Sequence, residues 1–106
     1  MDQQEFVRRL LAAYRAMPGT CGVVRRPDRL LAVQLYERGV PLTAVENALA
    51  LAALRRLVRP DGATPLPVVR SLAYFLPVID EVVATDVDPR YYQHVHIKLQ
   101  RLIAQR

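Results

Sequence analysis

Residues 35–48 read LYERGVPLTAVENA, and this segment carries the clearest signals for secondary structure in the chain. A glycine four positions after Leu35 permits the positive φ that ends a helix. Pro41 follows two positions later, and proline suits the first turn of a helix because its missing N–H would be unpaired there anyway. The segment therefore predicts one helix, a tight corner at Gly39 and a second helix that opens at Pro41.

The spacing of Leu35, Gly39 and Val45 resembles that of the helix-turn-helix superfamily, and the resemblance covers residues 28–58. Glycine lets two helices meet steeply, and the apolar residues on either side fix their crossing. The resemblance implies that the second helix lies in a major groove of DNA with its N-terminal residues at the base edges. On this interpretation Thr43 and Asn47 contact bases.

The charge of the chain also bears on nucleic acid. Its 106 residues carry a net charge of +5, and all of the 15 basic residues except Lys98 are arginine. A basic chain favours a polyanionic partner, and arginine binds phosphate with two parallel hydrogen bonds. The alternative is that arginine reflects a GC-rich codon usage shared by its alanine, leucine, valine and proline, and that the charge serves solubility.

Arginines near the corner and at the end of the second helix are the candidates for phosphate contact. Binding of this kind predicts an affinity that falls steeply with salt. For the arginines at the helix end there is a structural alternative, because cations are stabilised at a helix C-terminus. The predicted phosphate contacts are Arg25, Arg26, Arg29, Arg38, Arg55, Arg56 and Arg59.

A second hypothesis comes from the helix after the corner, which is apolar on both faces beyond Asn47. Such a helix is usually buried on both sides, either by the helices that follow or by a second copy of the protein. This pattern favours a protein-interaction or structural module, including a homodimer, with no direct nucleic-acid contact. The predicted interface residues are Leu51, Leu54, Tyr74 and Phe75.

Helical periodicity, capping residues and the absence of sustained alternation predict a compact all-α domain of about five helices over residues 1–106. The predicted helices span 2–17, 27–38, 41–58, 67–84 and 89–105. Pro77 falls inside the fourth helix, where it removes a backbone hydrogen bond. We expect a kink there, or a break at which Pro77 opens a second short helix.

Several function classes are not indicated. Cys21 is the only cysteine, so no intramolecular disulfide can form, which fits a reducing cytoplasm. His94 and His96 would point about 200° apart on a helix and so could not share a metal. No nucleophile and base, cofactor motif or apolar run of about 20 residues is present. We therefore expect a non-enzymatic cytoplasmic protein without metal, cofactor or membrane span, and with a polar N-terminus that is not a signal peptide.

Overall fold

Five α-helices and one 3₁₀ helix make up the fold in the computed structural model, which describes residues 1–105. The predicted all-α class and helix number are confirmed. The one β pairing within these residues is an isolated bridge between Thr20 and Val69. In chain order the helices are α1 (Gln3–Ala16), α2 (Arg26–Glu37), α3 (Leu42–Leu57), the 3₁₀ helix (Leu72–Phe75), α4 (Leu76–Ala84) and α5 (Pro89–Ala104).

Local sequence signals account for the ends of the first and last helices. The Asp2 carboxylate accepts the N–H of Glu5 at 2.8 Å and caps α1, and Asp88 accepts the N–H of Arg90 at 2.9 Å and caps α5. Proline at the first position of α5 leaves no donor unpaired there. These caps satisfy donors that a helix start otherwise leaves open, so the predicted boundaries agree closely with the observed ones.

The predicted corner at Gly39 is present. Gly39 has φ +76°, and its N–H donates to the carbonyl of Tyr36 at 3.0 Å. The N–H of Val40 donates to the carbonyl of Leu35 at 3.1 Å, which completes a Schellman motif. Both Val40 and Leu35 are buried, so the hydrogen bonds and an apolar contact fix the turn together.

The prediction of one kinked helix over residues 67–84 is wrong. Residues 67–71 are extended, and Val69 pairs with the segment after α1 by donating to Gly19 at 2.8 Å and accepting from Cys21 at 2.9 Å. The 3₁₀ helix follows, and α4 begins at Leu76 with Pro77 in its first turn. A proline is tolerated at that position, so the alternative of a break with a new short helix at Pro77 is confirmed.

Helix α3 lies at the centre of the molecule. It packs against α1, α4 and α5, whereas α2 packs mainly against α1 and the 3₁₀ helix. Residues 48–53 of α3 are all buried. The interpretation of this helix as apolar on both sides and covered by the helices that follow is therefore confirmed.

A single buried carboxylate joins α2 to the start of the 3₁₀ helix. Asp28 is 2% exposed, and its two oxygens accept the N–H groups of Arg25 and Leu72, each at 2.8 Å. Hydrogen bonds to an ionised acceptor are stronger than neutral ones. The sequence places Asp28 in the first turn of its helix, and the bond to Leu72 adds a link across 44 residues.

Candidate functional site

Little of α3 remains exposed for contact with another molecule. Thr43 is exposed in its first turn. Asn47 is half-buried, and its Oδ1 lies 2.9 Å from Nε2 of His96 on α5. Helix α5 thus occupies the side of α3 that carries Asn47. Of the two predicted base contacts, Thr43 is the one whose side chain is open to solvent.

Two of the predicted phosphate contacts are paired with carboxylates of α4. Arg38 Nη2 lies 3.1 Å from Asp80 Oδ1, and Arg55 donates to both oxygens of Glu81 at 2.8 and 2.9 Å. The hydrogen bonds with Glu81 raise the pKa of Arg55, and the same contact lowers the pKa of the Glu81 carboxyl. Both arginines therefore already have an anionic partner within the chain.

Three more of these arginines bind backbone carbonyls. Arg56 donates to the carbonyl of Pro67 at 2.7 Å and to the Tyr74 hydroxyl at 2.9 Å, with its guanidinium 5.3 Å from the centre of the Tyr74 ring. Arg25 donates to the carbonyl of Arg70 at 3.1 Å. Arg59 donates to the carbonyl of Thr64. These contacts hold the connector between α3 and α4 in place, a structural role that the sequence analysis did not assign.

The remaining two, Arg26 and Arg29, lie exposed in the first turns of α2. Within residues 1–105 their side chains make no hydrogen bond or ion pair of the kind that engages Arg38 or Arg55. The structure thus does not bring the predicted arginines together as one set. It divides them into five that bind groups of the chain itself and two that do not.

The residues of the predicted partner interface also differ in their exposure. Leu51 and Phe75 are 6% and 1% exposed and belong to the core of this chain, so their assignment to a partner surface is wrong. Leu54 is half-buried against that core. Tyr74 is exposed, although its hydroxyl and ring are both engaged by Arg56.

A groove between α1 and α2 forms a concave surface with a volume of about 860 Å³. Its floor is apolar and is built by Val7 and Leu11 of α1, Val33 of α2 and Val24 of the preceding loop. Leu11 is buried, and the three valines are half-buried. Val7 and Leu11 share one side of α1 because they are four residues apart, and this side faces Val33 of α2 across the groove.

Arginines line both walls of this groove. Arg8 and Arg15 stand on the α1 wall, and Arg29 stands on the α2 wall. Arg8 approaches Glu5 only to 4.0 Å, and Arg15 donates through Nε to the carbonyl of Gly22 at 3.2 Å. One acidic residue, Asp2, lies at the end of the groove. The arrangement is an open apolar strip between cationic rims, which can bind an apolar segment flanked by anionic groups.

Sequence reasoning missed this groove although α1 carries a signal for it. Phe6, Leu10, Ala13, Tyr14 and Met17 repeat at helical spacing along α1 and form its apolar stripe. Val7 and Leu11 each follow a stripe residue by one position, which widens the apolar face by about 100° toward α2. An apolar face wider than one neighbour can cover indicates a second contact surface.

A small polar cluster is formed by Tyr14 of α1, Asp28 of α2 and Cys21 of the loop between them. The Tyr14 side chain is fully buried, and its hydroxyl has no hydrogen-bond partner among the described residues. Burial, followed by the nearby Asp28 carboxylate, raises the pKa of Tyr14 to about 12. The Cys21 thiol lies 3.8 and 3.9 Å from the carbonyls of Val23 and Arg70. The carboxylate of Asp28 has a structural role in this cluster, because each of its oxygens accepts a backbone N–H.

The two histidines lie apart from these groups. His94 is exposed on α5, while His96 binds Asn47. In the part of the chain described here, three or more histidine, cysteine or acidic side chains do not come together in a way that would hold a metal ion. Over residues 1–105, the helices are too short or too polar to cross a membrane.

Comparison of the chain with protein-family models, with curated proteins and with solved structures finds no match in any of the three.

Proposed function

We propose that the chain is a protein-interaction module and that its α1–α2 groove binds a segment of the partner. The observation that carries this proposal is the apolar floor of Val7, Leu11, Val24 and Val33, which lies open between arginine rims. Covering such a floor removes apolar area from water, which is the main favourable term in most protein associations. A concave apolar surface with a few placed charges is the usual form of a binding site.

The geometry favours a protein over a nucleic acid for two reasons. Five of the seven arginines predicted to surround a helix-turn-helix contact are engaged by Asp80, Glu81 and backbone carbonyls. A phosphate backbone would also use the rim arginines of the groove but leave its apolar floor in contact with water, because nucleic acids bind mainly through phosphate oxygens.

The sequence supports a cytoplasmic setting for this interaction. Cys21 is the only cysteine and is free, which fits a reducing compartment.

Site-specific photo-crosslinking in cells tests the proposal. Ala12 is exposed and lines the groove, so a photoreactive amino acid at position 12 samples the occupant without disturbing the core. Ala84 is exposed at the end of α4 and does not line the groove, which makes it a matched control. We expect one protein adduct that forms from position 12 and not from position 84.

The adduct is then identified by mass spectrometry, and the partner is purified and mixed with the chain. Support requires direct binding that Val33→Asp weakens by at least about tenfold, because a carboxylate in the floor would have to be desolvated. A nucleic-acid adduct from position 12, or equal protein adducts from both positions, would contradict the proposal.

A further inference from the structure

We infer that the occupant of the groove is an amphipathic helix of another protein, with acidic residues on both sides of an apolar stripe. This inference rests on the proposed function and names the chemistry of the partner. Three observations support this inference. They are the length of the groove, the position of its cations, and the charge of the chain's own helices.

The length of the groove matches a short helix. Its α1 wall extends from Gln3 to Arg15, which is about 18 Å at the rise of an α-helix. About three helical turns of a partner fit this distance. Apolar anchors at i, i+3 or i+4, and i+7 are the usual pattern of a helix bound in a groove, and Val7, Leu11 and Val33 form a floor against which such anchors can pack.

The cations lie on both sides of that floor. Arg8 and Arg15 are seven residues apart on α1, so they stand two turns, or about 10 Å, apart along one rim. Arg29 supplies the opposite rim from α2. A partner helix with Asp or Glu on each flank of its apolar stripe would satisfy both rims at once. A partner helix with basic flanks would be repelled by these arginines. This difference in charge determines which partner binds more than how tightly it binds.

A second copy of this chain does not offer such a helix. The acidic residues of α4, Asp80 and Glu81, are already paired with Arg38 and Arg55. Helix α5 has no acidic residue, α1 and α3 have one each, and in α2 the burial of Asp28 leaves one. None of these helices has free acidic residues on both sides of an apolar stripe, so the charge pattern assigns the groove to a different protein.

Binding of designed peptides tests the inference on the full chain. The probe is a fluorescein-labelled peptide of about 14 residues with leucines at i, i+4, i+7 and i+11 and glutamates beside them. Its control has lysine at every glutamate position. We expect the glutamate peptide to bind at least about tenfold more tightly by fluorescence anisotropy. In methyl NMR spectra we expect the shifts to cluster at Val7, Leu11 and Val33.

A second experiment reverses the charge of Arg29 at the rim of the groove. Arg29→Glu should weaken the glutamate peptide by about fivefold and strengthen the lysine peptide by a similar factor. Arg101→Glu on α5 is the matched control, because Arg101 is also exposed and does not line the groove. That control should change both affinities by less than about twofold.

The outcomes separate this inference from the proposed function. Equal binding of the two peptides, no binding of the glutamate peptide, or shifts outside the groove would overturn the acidic helix. A groove-specific protein adduct from position 12 would still support the interaction module in each of these cases. If Arg101→Glu weakens binding of the glutamate peptide as much as Arg29→Glu does, the peptide does not bind in the groove, and the assignment to the groove is overturned.

Discussion

An arginine at the end of α3 and an arginine at the start of α2 have opposite surroundings in the two halves of this molecule. In the half built from α3, α4 and α5, Arg55 donates to both oxygens of Glu81. In the half built from α1 and α2, Arg29 lies exposed beside an apolar groove. The nearest buried carboxylate, Asp28, is occupied by backbone N–H groups. Net charge therefore does not locate a binding surface, since tertiary pairing decides which cations remain available.

The largest effect is expected from removing the Asp28 carboxylate, which links α2 to the 3₁₀ helix before α4. Asp28→Ala leaves the N–H groups of Arg25 and Leu72 without an acceptor in a buried site. We expect a loss of about 3 kcal/mol in the free energy of unfolding, measured by urea denaturation. Asp28→Asn, which keeps one acceptor oxygen, should lose about half as much.

The exposed turn residue Asp61 provides the control for this experiment, because Asp61→Ala should change stability by less than about 0.5 kcal/mol. If Asp28→Ala unfolds at the same urea concentration as wild type, the link between the halves is not important for stability.

A pH series tests the polar cluster of Tyr14, Asp28 and Cys21. Burial raises the pKa of Tyr14 to about 12 from an ordinary value of 10.0, so the unfolded chain loses this proton first as pH rises. The stability that protonated Tyr14 provides is complete below pH 10 and is lost between pH 10 and about 12. For a shift of this size the loss is about 3 kcal/mol.

Tyr14→Phe removes that titration and also the unpartnered hydroxyl, so at pH 7 the variant should equal wild type or gain about 1 kcal/mol. Its advantage should widen above pH 10 in parallel urea titrations. A constant difference between the two proteins from pH 7 to pH 11.5 would show that Tyr14 ionises normally.

The corner between the halves gives a smaller effect. Gly39 has φ +76°, and a Cβ atom added there would meet nothing within 4 Å. The cost of Gly39→Ala is therefore conformational, and we expect about 1 to 2 kcal/mol by thermal or urea unfolding. Gly39→Asn should cost less, because asparagine tolerates the left-handed region better. An equal cost for both substitutions would point to a cause other than backbone conformation.

The smallest expected effect is on DNA binding, and it tests whether ion pairs keep arginines from binding phosphate. The double variant Asp80→Asn and Glu81→Gln releases Arg38 and Arg55 from their carboxylates. We expect affinity for a mixed duplex DNA to rise about threefold at low salt in an anisotropy titration, and the gain to disappear as salt is raised. Asp86→Asn, at an exposed position without an ion pair to either arginine, serves as the control. An unchanged affinity would show that pairing does not keep these arginines from phosphate.

The sequence predicted those parts of the fold that local chemistry determines. Asp2 and Asp88 cap their helices as expected, and Gly39 adopts the conformation that its position requires. Residues 67–71 could not be assigned in this way. Their extended path depends on the pairing of Val69 with the segment after α1 and on the contact between Arg56 and Pro67, both of which are long-range.

The candidate site was less accessible to sequence reasoning. Arg38 and Asp80 are 42 residues apart, and Arg55 and Glu81 are 26 apart, so no local pattern shows that these arginines are occupied. Val7 and Leu11 are adjacent to the apolar stripe in the sequence, but packing decides that a groove forms over them between α1 and α2. The DNA-binding hypothesis and its base contacts at Thr43 and Asn47 stay predictions.

The bond between Asp28 and Leu72 also constrains how the chain acquires its structure during synthesis. The two residues are 44 positions apart, which corresponds to about 2 to 9 s of translation at typical ribosome speeds. During that interval α1 and α2 can form, but the carboxylate at the start of α2 lacks its second donor. We expect the nascent helical pair to stay loosely packed until Leu72 has emerged, so the groove is completed late and as part of the whole chain.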